Sequence, residues 1–154
     1  MSIPTIVVVE ANPALGLLFE NLLGDAGYEV DVRPDEQGTF QFIQQAQPDL
    51  VIMDLWLRRR GDGLALLKRL GEDARTRHIP VLVCSADTQT WYEHAALLHR
   101  NRCSLVAKPF DSSDLLARIK VWLDQADALW PVTTYAVQHR EHLTMTTSRI
   151  GDGD

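Results

Sequence analysis

Short runs of consecutive apolar residues, each closed by a polar or charged residue, recur along the chain. The run Leu50–Met53 is apolar throughout and is bounded by Asp49 and Asp54. Four apolar residues between turn-forming residues predict a strand buried on both faces, as in a parallel sheet. Similar runs occupy residues 6–10, 81–85 and 105–108. Residues 28–32 instead alternate apolar and polar, which predicts a strand nearer the sheet edge.

Between these predicted strands, apolar residues recur at helical spacing. Asn12 is a predicted N-cap with Pro13 at the first helical position, and Gly27 ends that helix. Further helices are predicted over about 35–45, over the segment carrying Leu64, Leu67 and Leu70, over about 88–99, and from Asp111 or Ser112 to Pro131. Five strands alternating with five helices predict one doubly wound α/β domain with right-handed crossovers.

The remaining residues after this domain form a polar segment. We expect the domain to occupy residues 1–130 and the segment 131–154 to be a flexible tail, because it is short and poor in apolar periodicity. No internal repeat is visible.

Composition narrows the class of protein. The chain of 154 residues has a net charge of −6 and no long basic run. This charge argues against direct binding of nucleic acid. The apolar stretches are of strand length and the N-terminus lacks a secretion signal, so we expect a cytoplasmic protein that does not span a membrane. Cys84 and Cys103 lie in or near apolar runs, which is typical of buried thiols.

The polar residues at the strand ends are the candidate chemistry. In an open parallel sheet the carboxyl ends of the strands lie along one edge, where ligands bind. Each residue alone also has an ordinary explanation, since Asp and Ser cap loops or helices and Lys is usually solvated. Together, Glu10, Asp54, Ser85 and Lys108 predict a site at that edge.

These residues carry a family resemblance. Glu10 after the first strand, Asp54 after the third, Ser85-Ala86 at the fourth and Lys108-Pro109-Phe110 at the fifth resemble the receiver domain of two-component response regulators of the chemotaxis-regulator type. The resemblance covers about residues 4–125. It implies the flavodoxin-like fold, a three-layer α/β/α arrangement of five parallel strands in the order 2-1-3-4-5 and five helices.

The resemblance also implies a role for each residue. Asp54 would accept a phosphoryl group from a phosphohistidine on a histidine kinase or phosphotransfer protein. Lys108 and Ser85 would contact phosphoryl oxygens, and Lys108-Pro109 would be a cis peptide. Mg²⁺ would be held by Glu10, Asp54 and the backbone carbonyl of Trp56, since catalysis here is mainly positioning and charge neutralisation.

Three positions depart from the family pattern. The usual pair of acids after the first strand is Glu10-Ala11 here, so we expect weakened Mg²⁺ binding. Leu105 stands where the family often has an aromatic switch residue, and it predicts weak coupling or plain strand packing. Arg58 replaces a common proline, and either Arg58 is solvated or an arginine of this run leans over the phosphoryl site.

Trp56 lies two residues after Asp54 and borders the path expected for the hydrolytic water. We therefore expect a phosphoryl group on Asp54 to be lost slowly, and faster in Trp56→Ala.

Three classes of function remain open. The first is a phosphoaccepting signalling receiver that acts by contact with a target protein or as a homodimer. The second is a receiver-like interaction module that needs neither phosphate nor metal, favoured by Ala11 and Leu105. The third, a true enzyme, is disfavoured, because residues 10–13 do not form a glycine-rich phosphate loop and Trp56 stands where a dehalogenase-type phosphatase carries a second Asp.

Overall fold

The computed structural model describes residues 2–59, 61–96 and 103–124. The predicted tail, 131–154, and the end of the predicted fourth helix lie outside these residues. No helix in the described ranges is both long and apolar enough to cross a lipid bilayer.

Five parallel strands form one sheet in the described residues: β1 Thr5–Val9, β2 Glu29–Arg33, β3 Leu50–Met53, β4 Val81–Ser85 and β5 Cys103–Ala107. Their order is β2-β1-β3-β4-β5, which confirms the predicted fold. All four residues of β3 are buried, whereas β2 at the sheet edge is half exposed. The unbroken apolar run and the alternating run thus predicted the central and edge positions correctly.

Five helices cover the two faces of the sheet in the described part of the chain: α1 Pro13–Asp25, α2 Thr39–Ala46, α3 Asp62–Glu72, α4 Thr88–Glu93 and α5 Ser112–Asp124. Alternate residues of the strands point to opposite faces. Val7 and Val51 pack with α2 and α3, for example against Ile43 and Leu67. The other face, with Ile52, packs against α1 and α5.

The first helix begins as its sequence predicts. Asn12 Oδ1 accepts hydrogen bonds from the backbone N–H groups of Ala14 and Leu15, at 3.0 and 3.3 Å, and Pro13 is the first helical residue. Gly27 follows the helix end with φ of 97°, a conformation that glycine adopts without steric cost. At α5 the cap is Asp111, whose Oδ1 accepts from Asp114 N at 3.0 Å.

Three boundaries differ from the predictions. α2 begins at Thr39 and not near residue 35, because Asp35 Oδ1 accepts from Gln37 N at 2.9 Å and Gly38 has φ of 71°. This local turn competes with helix formation. α4 ends at Glu93, residues 95–96 are again helical, and residues 97–99 of the predicted helix lie outside the described residues. β5 begins at Cys103 rather than Leu105.

Gly63 at the start of α3 lets this helix approach the end of β3. A Cβ at Gly63 would lie 2.3 Å from the carbonyl oxygen of Asp54 and 2.6 Å from Leu55 Cα. Both neighbours are backbone atoms and have no rotamer by which to move aside. The absence of a side chain at Gly63 therefore helps to position the chain immediately after Asp54.

We predict that Gly63→Ala lowers the free energy of unfolding by about 2–3 kcal/mol, because overpacking displaces backbone. Gly24→Ala is the matched control, since a Cβ there meets nothing within 4 Å. In this helical position alanine should stabilise by about 0.5–1 kcal/mol. Urea denaturation of both variants measures the difference, and equal stabilities would contradict the packing argument.

Candidate functional site

The polar residues predicted at the strand ends are positioned by backbone hydrogen bonds that extend the sheet. Asp54 N donates to Val9 O at 3.1 Å, and Lys108 N donates to Ser85 O at 2.9 Å. Neighbouring strands therefore hold each other's last residues in register at the carboxyl edge. The consequence is that residues far apart in sequence meet at this edge.

Lys108 joins the acids that follow β1 and β3. Its Nζ donates to Asp54 Oδ2 at 2.8 Å and to Glu10 Oε2 at 3.0 Å. The exposed fractions of the side chains are 17% for Lys108, 11% for Asp54 and 5% for Glu10. Hydrogen bonds between ionised partners with this little solvent are strong and directional. The structure thus brings three of the predicted site residues into direct contact.

Burial affects the two ends of this network differently. Burial raises the pKa of Glu10, and its contacts with Lys108 offset that effect only in part. Burial lowers the pKa of Lys108, but its hydrogen bonds to Asp54 and Glu10 outweigh burial and raise it above the ordinary value. The asymmetry has a simple cause: the ammonium has two carboxylate partners, whereas Glu10 has one ammonium and also faces the charge of Asp54.

An open cleft of about 330 Å³ lies beside this network. Asp54, Trp56, Ser85, Ala86 and Asp87 line it. Ser85 is buried, and its Oγ accepts a hydrogen bond from Asp87 N at 3.0 Å. A hydroxyl that accepts from one side keeps its own hydrogen for a ligand oxygen. The cleft therefore presents the carboxylate of Asp54 and the hydroxyl of Ser85 to the same space.

Trp56 bridges the two loops that border this cleft. Its backbone N donates to Asp54 Oδ1 at 3.1 Å, and its indole Nε1 donates to Asp87 Oδ2 at 2.7 Å. Asp87 was not singled out from the sequence. The signal in the sequence, an acid just before a helix, is typical of an N-cap and does not indicate a contact with Trp56.

The other predicted neighbours have more ordinary surroundings. Leu105 is partly buried and packs against the hydrophobic cluster beneath α2 and α3. The Lys108-Pro109 peptide is cis. Arg58 does not lie over Asp54: its Nε is 3.1 Å from Asp35 Oδ2, and its side chain is 66% exposed. An ion pair this exposed contributes little to stability.

The two cysteines are buried, as their apolar surroundings predicted, and form no disulfide with each other. Burial raises the pKa of the Cys84 thiol to about 12, so it stays protonated at neutral pH.

Carboxylate oxygens are the donors that this site offers to a Mg²⁺ ion. No group of three or more His, Cys, Asp or Glu residues that could hold a metal occurs in the described ranges. Mg²⁺ in proteins is commonly held by one or two carboxylates and retains several waters. Glu10 and Asp54, which Lys108 Nζ joins, supply two carboxylates of this kind, while the side chain of Ala11 adds no oxygen.

We predict that the free energy of unfolding of Glu10→Gln, minus that of wild type, is larger at pH 7 than at pH 4. A raised pKa means that the folded state favours protonated Glu10. Wild type therefore gains stability from this group as the pH falls through the raised pKa toward 4.5, and glutamine does not. Urea denaturation across this range checks the sign. A stability difference that grows as the pH falls would show that Lys108 outweighs burial at Glu10.

Comparison with known proteins gives one family. Residues 6–120 match the model of the response regulator receiver domain. The master transcriptional regulator RpaA of Synechocystis is 32% identical over 140 residues, covering 91% of this chain and 56% of that protein. The phosphate regulon regulator PhoB of Rhizobium meliloti is 33% identical over 126 residues, covering 80% and 54%. The chain thus spans about half the length of these relatives.

Solved structures agree on the fold. A response regulator from Chloroflexus aurantiacus superimposes with a TM-score of 0.70 at 28% identity, over 80% of this chain and 99% of that one. The receiver domain of the sensor histidine kinase PA1611 from Pseudomonas aeruginosa gives 0.70 at 22% identity over 80% and 99%, and that protein coordinates a magnesium ion in its active site cleft.

Proposed function

Because this chain belongs to the response regulator receiver domain family, we propose that Asp54 accepts a phosphoryl group from a phosphohistidine of a histidine kinase or phosphotransfer protein. The observation that carries this proposal is the contact of Asp54 with Lys108 beside an open cleft that Ser85 also lines. Receiver domains are signalling domains, and the changed state of Asp54 is the signal.

The proposed reaction exchanges one phosphorus bond for another. A carboxylate oxygen of Asp54 forms a bond to phosphorus as the bond from phosphorus to the histidine nitrogen breaks, and that nitrogen keeps the electron pair. Two anions must approach, so positive charge near the carboxylate lowers the barrier. Lys108 supplies one full positive charge 2.8 Å from Asp54 Oδ2. Ser85 donates its hydroxyl hydrogen to a phosphoryl oxygen.

Mg²⁺ would be held by Glu10, Asp54 and the backbone carbonyl of Trp56. When bound, it supplies further positive charge to the oxygens around phosphorus. We propose that this chain binds it weakly, since Ala11 provides no carboxylate and Lys108 already occupies one oxygen of each remaining acid. Electrostatic repulsion between the ammonium and a divalent cation also opposes binding.

The retained contact of Asp54 with Lys108 favours the phosphoaccepting function over a module that needs no phosphate. Output through a target protein, or through a homodimer, suits a chain of net charge −6 better than direct contact with nucleic acid. We propose protein contact as the output, with the receiver ending near residue 130.

We predict that a small phosphoryl donor such as acetyl phosphate, with Mg²⁺, adds one phosphoryl group to the wild-type chain and none to Asp54→Asn. The amide is a poor nucleophile and cannot form the acyl phosphate. Asp31→Asn, which changes an exposed carboxylate on β2, is the control and should react like wild type. Intact-mass spectrometry measures the product. Equal labelling of Asp54→Asn would place the acceptor elsewhere and reject the proposal.

We predict that Ala11→Asp strengthens Mg²⁺ binding by roughly tenfold or more, because a third carboxylate adds both a ligand and a negative charge. Ala11→Asn has nearly the same size without the charge and separates ligand charge from simple bulk. Calorimetric titration of Mg²⁺ into the three proteins makes the comparison. Indistinguishable affinities for Ala11→Asp and wild type would show that the missing acid is not what weakens the site.

A further inference from the structure

Hydrogen bonds connect the residues around the cleft into a continuous network. Trp56 N donates to Asp54 Oδ1, Trp56 Nε1 donates to Asp87 Oδ2, and Asp87 N donates to Ser85 Oγ. Trp56 thus contacts the carboxylate that we propose as phosphoacceptor through its backbone, and the loop that leads into α4 through its indole. Trp56 as a whole is nevertheless 46% exposed. Trp56 therefore joins two loops without being part of the hydrophobic core.

Asp87 connects this network to α4. Its Oδ1 accepts from Thr90 N at 3.1 Å, so Asp87 is the N-cap of the helix, and the Thr90 hydroxyl donates to Oδ2. The same oxygen that accepts from the indole thus also contacts the first turn of α4. Trp91 in that turn is 4% exposed and packs with the core on this face of the sheet. Asp87 therefore contacts both the indole of Trp56 and the N-terminus of α4.

We propose that Asp87 is a positioning residue which holds the Trp56 indole at the mouth of the cleft, and that a phosphoryl group on Asp54 breaks the Trp56–Asp87 hydrogen bond. This inference rests on the proposed function of Asp54. It goes further, because it names the contact that responds to phosphorylation and the helix that responds with it.

Two physical effects predict that a phosphoryl group on Asp54 weakens the Trp56–Asp87 hydrogen bond. The carboxylate of Asp87 and a phosphoryl group on Asp54 would be like charges bordering one cleft, and they repel each other. A Ser85 side chain that rotates toward a phosphoryl oxygen also moves its Oγ, which is the acceptor of the hydrogen bond from Asp87 N. Both effects displace Asp87 from its present position, and the indole N–H loses its acceptor.

This route does not depend on residue 105. Leu105 has no polar group and is packed against the core, so it offers no hydrogen bond that a phosphoryl group could exchange. The Trp56–Asp87 contact already spans from the cleft to the surface helix. Displacement of Asp87 would pass the change at Asp54 to α4, because Asp87 is the N-cap of that helix.

Asp87→Asn separates the indole contact from the helix cap. One amide oxygen can still accept from Thr90 N, but the amide NH₂ then faces the indole N–H, and two donors do not bind each other. Trp56→Phe keeps an aromatic ring and removes the N–H. Glu93→Gln is the charge control, because it removes a carboxylate from the same helix and its partner is Gln89, at 3.0 Å.

The experiment follows the indole N–H signal of Trp56 by ¹H–¹⁵N NMR, in the full 154-residue chain with Mg²⁺ and beryllofluoride, a phosphoryl mimic. Trp56→Phe assigns the signal by its loss, and ¹⁹F NMR of bound fluoride measures occupancy independently. In wild type, saturation should shift the signal upfield and speed its exchange with water. In Asp87→Asn the indole signal should already lie upfield without the mimic. The affinity of this variant for beryllofluoride should be roughly threefold to tenfold higher than that of wild type. Glu93→Gln should change the affinity for beryllofluoride by less than about twofold.

The outcomes distinguish this inference from the proposed function. Failure of beryllofluoride to bind wild type would overturn the proposed function and the inference with it. Binding with an unmoved Trp56 signal would overturn the inference alone. Equal affinities of Asp87→Asn and wild type would overturn the repulsion on which it depends.

Discussion

The ammonium of Lys108 between two buried carboxylates is the interaction on which the site depends. Its partners Glu10 and Asp54 are 98 and 54 residues away in the chain. An isolated charge is costly in such a place, whereas a paired and hydrogen-bonded charge is tolerated. The three ionised groups leave one net negative charge beside an open cleft. That arrangement suits the phosphoryl transfer that we propose for Asp54, because the ammonium offsets the repulsion between two anions.

The charge balance also explains why the departure at Ala11 matters. A further acid would have made the site more negative and more dependent on a divalent cation. With Ala11, the fixed ammonium accounts for a larger share of the positive charge at Asp54. In the function that we propose, Lys108 and Ser85 position and neutralise the phosphoryl group, and fewer carboxylates are available for Mg²⁺. The loop residue Trp56 then adds a hydrogen-bonded link from Asp54 to Asp87 and α4.

Particular residues show where sequence reasoning succeeds. The apolar run of β3 predicted a central strand because side chains buried on both faces leave no room for alternation. Asn12-Pro13 predicted the start of α1 because capping is decided within a few residues. Asp35 misled the same reasoning, since a carboxylate near a predicted helix can close a turn on Gln37 as well as cap a helix. The sequence left open whether Arg58 is solvated or lies over the phosphoryl site. In the structure Arg58 pairs with Asp35 across two loops.

The sequence by itself determined the alternation of strands and helices, the order of the polar strand ends and the absence of an acid at Ala11. These features depend on periodicity and on residue type, which are local. Only the tertiary structure decided that Lys108 contacts both acids and that Trp56 donates to Asp87, 31 residues away. The distance between two side chains on different loops depends on how every intervening element packs, and no pattern along the chain records it.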